Sequence, residues 1–138
     1  PEDSRLHPFG PPVVPTIEAH TSDSKPGTRV VESDTGSQRQ VIRYEVGNGT
    51  VLIDSVRTRL IGDIKMRYEI YDNDPAPIIE ARITTGWERD AWRPRLLASS
   101  TFTTTPTEFL IVGELTAFDG DQKVLTRTWN QKIPRQLC

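Results

Sequence analysis

"RQVIRYEVGNGTVLIDSV", residues 39–56, decides how the rest of the chain is read. Ile42, Tyr44 and Val46 alternate with Arg43 and Glu45. Successive side chains of an extended strand point to opposite faces, so this spacing predicts a strand with one apolar and one charged face. Gly47-Asn48-Gly49 follows, and its residues tolerate positive φ. The expectation is a hairpin turn at that triplet, with a second strand after it.

The same period of two recurs on the C-terminal side. "KMRYEIY" (65–71) opposes Met66, Tyr68 and Ile70 to Lys65, Arg67 and Glu69. "IIEARITT" (78–85) sets Ile79, Ala81 and Ile83 against Glu80, Arg82 and Thr84. "RPRLLASSTFTT" (93–104) is a rougher strand with Leu96, Ala98 and Phe102 on one face. "TEFLIVGELTAF" (107–118) begins apolar on both parities, as a strand covered on both faces would. "QKVLTRTWNQKIP" (122–134) gathers Leu125, Trp129 and Ile133 on one side, facing an apolar layer with Phe109, Ile111 and Leu115. That sharing of a layer makes Trp129 a core residue. Asp119-Gly120-Asp121 is a hairpin turn between the last two segments. Turn signals come about every ten residues and few segments carry a convincing helical stripe, which is the pattern of an antiparallel β-sandwich or barrel.

The N-terminal side is different. Residues 1–27 hold six of the eleven prolines, together with Gly10 and several small polar residues. Proline fixes φ and has no amide hydrogen, so this stretch is neither helix nor central strand. It reads as an extended leader (1–27) before a β-domain (28–138), with Leu6, Phe9, Val13, Val14 and Ile17 as anchors onto a surface, or else as a free proline-rich linker. The chain begins at Pro1, so it is expected to be processed or to be a piece of something longer.

Composition excludes several functions. A formal net charge of −2 offers nothing to attract nucleic acid or an anionic membrane. No apolar run reaches the roughly 20 residues of a membrane span. Cys138 is the single cysteine, so no intrachain disulfide forms, in keeping with a cytoplasmic setting. Thirteen arginines against four lysines suit protein contacts, because the guanidinium presents planar donors, yet they alternate with carboxylates as on a solvated sheet face.

"YDNDPAP" (71–77) crowds oxygen ligands as a calcium loop does. Counted from Asp72, however, an EF-hand would need an oxygen ligand where Ala76 stands, glycine at Pro77 and glutamate at Ile83. The reading is a turn, with Asn73 supplying left-handed geometry and Pro75 blocking further pairing. Catalysis has no better footing. No Gly-x-Ser-x-Gly elbow is present, the histidines are His7 and His20 in the leader, and Cys138 is terminal. No catalytic, metal-binding or cofactor-binding residue is assigned. Trp87, Trp92 and Trp129 are the remaining candidates, as core, as an interface with a neighbouring domain, or as a carbohydrate-stacking platform.

"MRYEIYDNDP" and the segment from Glu80 to Leu137 resemble the tail of CocE/NonD-type serine hydrolases, relatives of the X-Pro dipeptidyl-peptidases. The carrying elements are Asp74-Pro75 after a strand, Asp90 to Arg93, Asp119 to Asp121, and Trp129 with Ile133-Pro134-Arg135. "LHPFGPPV" (6–13) is also similar to the segment preceding these strands. Ala91 separates Asp90 from Trp92, where the family has them adjacent. The resemblance implies a jelly-roll-like β-sandwich that packs on an α/β-hydrolase domain and helps enclose its active site. The triad then lies in that other domain, supplied in cis or as a separate chain, and none of it falls on this sequence. Self-association is the further partner reading. The competing function is an independent binding module for a carbohydrate or a protein.

Overall fold

The computed structural model describes residues 18–136. Leu6, Phe9, Val13, Val14, Ile17, His7 and Cys138 lie outside that range, so the expectations placed on them do too. The described chain has eight strands and no α-helix. They are β1 (Ala19–Ser22), β2 (Thr28–Asp34), β3 (Arg39–Ile53), β4 (Thr58–Tyr71), β5 (Asp74–Glu88), β6 (Pro94–Thr104), β7 (Glu108–Asp119) and β8 (Gln122–Pro134).

The all-β antiparallel class expected from the alternation is what the structure shows, and its make-up is consistent with a β-sandwich. All eight strands belong to one sheet, ordered β1-β3-β4-β5-β6-β7-β8, with β2 pairing the other half of the β3 edge. The jelly-roll-like order is corrected. From β2 onward each strand pairs with its successor in sequence, an up-and-down meander. The connections explain it: two residues join β4 to β5 and two join β7 to β8, which leaves no chain for a crossover.

Three local expectations change. Gly47-Asn48-Gly49 is not a turn but lies inside β3, where the ladder to β4 shifts register. Gly49 takes φ +64° opposite Gly62, and a Cβ there would stand 2.5 Å from the Ser22 carbonyl oxygen. The glycine is needed for a bulge beneath the β1–β2 connection, and a bulge and a turn ask for the same residue. The reversal comes later, as a 3-10 turn over Asp54–Val56 closed by left-handed Arg57. Second, the sheet begins at Ala19, within the segment that proline content sets apart. Third, Asp72-Asn73 does form the β4–β5 turn, but Asn73 is not among the left-handed residues. Beyond it the β4–β5 ladder shifts register and gives no partner to Ile70 or to residues 75–77, where the two prolines offer no amide to pair.

Candidate docking face

The register sorts the alternating side chains onto two faces. One face carries Ile42, Tyr44, Val46 and Val51 on β3, Leu60, Ile64, Met66 and Tyr68 on β4, and Ile79, Ala81, Ile83 and Trp87 on β5. It continues with Leu96, Ala98 and Phe102 on β6, Phe109, Ile111, Leu115 and Ala117 on β7, and Leu125, Trp129 and Ile133 on β8. Across β3 to β7 these paired positions include one charged residue, Asp119, at the end of β7 opposite Pro94. Otherwise charge enters at the side margins, with Arg29 on β2 and Arg127 on β8. A sheet face of this kind is normally covered, because exposed apolar area costs about 25 cal/mol per Å². Here its centre is open. Ile83, on the middle strand of the meander, is 41% exposed, and Val41 is the one fully buried apolar residue among those described.

The face has relief. Ala81, Ser100 and Gly113 are cross-strand neighbours, forming a low row closed at one end by Met66 and Tyr44 and at the other by Trp129. A higher row, Ile42, Tyr68, Ile79, Phe102 and Ile111, runs beside it. Near the β3 bulge the sheet forms a concavity of about 770 Å³ lined by Val46, Leu60, Thr85, Trp87 and the β1–β2 connection.

The opposite face is ionic. Val41 lies between Glu32 and Glu69 on the neighbouring strands, and it is buried by the stems of such long side chains rather than by a core. Glu69 accepts hydrogen bonds from Arg39 Nε at 2.5 Å and from the Tyr71 hydroxyl at 2.7 Å, and pairs also with Arg67. Those bonds, Arg39 first, hold its carboxyl down to about 2. Arg67 reaches on to Glu80 at 3.1 Å, and Arg43 pairs with Glu32.

The three tryptophans do not form one platform. Trp87 ends β5 opposite Leu60 and is half-buried. Trp92 sits in the β5–β6 turn, 49% exposed, with the Arg89 guanidinium 5.5 Å from its ring centre. Trp129 lies opposite Gly113, whose row on β5 is Ala81, about 20 Å along the strand from Trp87. It is 37% exposed with Arg127 over its ring, so the core expectation for it is corrected: β8 is an edge strand, exposed along its whole length. Val112 is open as well, so β7 is not covered on both faces.

Among the described residues no group of three or more His, Cys, Asp or Glu is placed to hold a metal ion. One pair leaves no trace in the sequence pattern, His20 Nε2 with Asp54 Oδ2 at 2.8 Å, because its members come together only through β1–β3 pairing. The His20 side chain is 75% exposed and no nucleophile is bonded to it, so it is a surface pair. No described helix is long and apolar enough to cross a membrane. Comparison with models of protein families, with curated proteins and with solved structures finds no match in any of the three.

Proposed function

We propose that this chain is a non-catalytic sheet module, the β-sandwich part of an α/β-hydrolase acting on esters or X-Pro peptides. It packs against the catalytic domain, in cis or as a separate chain, and helps enclose the active site. One observation carries the packing role: an apolar face across β3 to β7, charged only at Asp119 at the end of β7, whose central residue, Ile83, stays open. The hydrolase as partner rests on the resemblance alone. Apart from Trp129, which lies within β8, its elements lie at strand ends and turns, and two of them meet where the Gly120 amide donates to the Arg93 carbonyl at 3.0 Å.

The test is reconstitution with a CocE/NonD-type catalytic domain expressed alone. The module should co-purify with it and raise hydrolysis of an activated ester or an X-Pro anilide, while having no activity by itself. A module that leaves the domain's rate and stability unchanged would sink the reading. So would intrinsic activity that one serine substitution removes.

A further inference from the structure

We propose that the second layer of the sandwich is a second copy of this chain, the two apolar faces packed on each other about a two-fold axis. The inference rests on the reading of this face as a packing surface and names its occupant when no catalytic domain is bound. Area is the first argument. Five strands spaced about 4.8 Å apart, each with about ten residues of ~3.3 Å, present roughly 800 Å² per copy, the size of a standard stable interface. A segment the length of residues 1–17, even fully extended, would cover a strip one strand wide, about a fifth of that.

Relief is the second. A two-fold axis running across the strands, between the low row and the high one, sets Ala81, Ser100 and Gly113 of one copy against Ile79, Phe102 and Ile111 of the other. The same rotation places the converse contact, as an isologous interface requires. Layers about 10 Å apart then interdigitate as the two sheets of a sandwich do. Charge is the third. Arg29 and Arg127 stand at the outer margins, which makes a polar rim around an apolar centre, and both ionic faces point outward to water.

The experiment is sedimentation of the full chain across a concentration series, followed by cross-linking. A species of twice 15.6 kDa is expected. Ile83→Lys should shift it to monomer by at least tenfold in dissociation constant, with an unchanged β-sheet circular dichroism spectrum. In a Cys138→Ser background, Ile79→Cys and Ala81→Cys chains, mixed, should be joined into a covalent dimer by a short bis-maleimide that spans the layers, while Lys65→Cys chains, on the ionic face, should not. A chain that stays monomeric at every concentration, whether free or captured by phospholipid vesicles, overturns the proposal. A dimer that Ile83→Lys leaves intact and that the cysteines on the apolar face cannot trap overturns it too. Neither result touches the hydrolase reconstitution, so the two readings fail separately.

Discussion

Glu69 on β4 lies directly opposite Val41 on β3, so the most buried carboxylate described and the one fully buried apolar side chain are cross-strand partners. Two arginines and a tyrosine hydroxyl close over the carboxylate, and the valine sits under their stems. The interior of this sheet, in the single copy, is therefore on its charged side.

Acid should loosen it. The folded-state pKa of Glu69 is about 2, below the ordinary 4.5, so its contribution is present in full above 4.5 and is lost as the pH falls through 2. Thermal melts between pH 7 and pH 2 should show the midpoint falling through that window. Glu69→Gln should lower the midpoint at pH 7 by the equivalent of about 1–3 kcal/mol and flatten the acid limb. A variant with an unaltered acid limb would show that other carboxylates set it.

Val41→Ala should cost about 2 kcal/mol, the worth of a fully buried valine. Val112→Ala removes the same atoms from a residue 51% exposed on the same face of the sheet, and should stay within about 0.5 kcal/mol. Urea unfolding of the pair checks the contrast. Equal losses would mean that Val112 is covered in solution.

Gly49→Ala and Gly120→Ala separate close approach from backbone strain. Both glycines have positive φ, +64° and +57°. Nothing lies within 4 Å of a Cβ at Gly120, so alanine there should cost only about 1 kcal/mol. At Gly49 the new atom would meet Ser22 and Ser24 backbone at 2.5–2.7 Å, and the β1–β2 connection must move. Hydrogen exchange should then accelerate at Ala19–Ser22 in Gly49→Ala and remain unchanged there in Gly120→Ala.

Calcium should leave the melting temperature unchanged in chelator-treated protein, since a ligand that binds only the folded state must raise it. Asp74 Oδ1 is engaged by the Ala76 amide at 2.9 Å, and the Asn73 side chain by Gln38. Asp74 Oδ1 is thereby used to fix the turn, while Asn73 donates through Nδ2 to Gln38 Oε1. A rise in midpoint that Asp74→Ala removes would establish a site there.

Which face each residue takes was legible within each unbroken stretch of strand, because alternation depends only on the geometry of one strand; past the β3 bulge it fails, and Val51 lies on the face of Val46. Tyr44 with Met66 and Ala81 with Ser100 sit on the shared apolar face as their parities indicate. The β8 bounds were read to the residue, thanks to the Asp-Gly turn before it and proline after it. What alternation cannot convey is whether a face is covered. Trp129 has the parity of a core residue and occupies the last strand, where half of its neighbours are solvent. Gly47-Asn48-Gly49 misled for a related reason: local conformational need was clear, but the partner that creates it, the Ser22–Ser24 backbone, is remote in sequence.

The meander has a kinetic corollary. Except for β1, which reaches past β2 to β3, every ladder joins sequence neighbours, so each hairpin closes a short loop before the next is added. Low contact order of this sort favours fast, stepwise assembly outward from a central hairpin, where a Greek-key sandwich must first close long loops. The same logic runs in reverse. Strands should detach from the margins inward, β8 early and the β4–β5 hairpin last, so this sheet has a built-in order of unravelling.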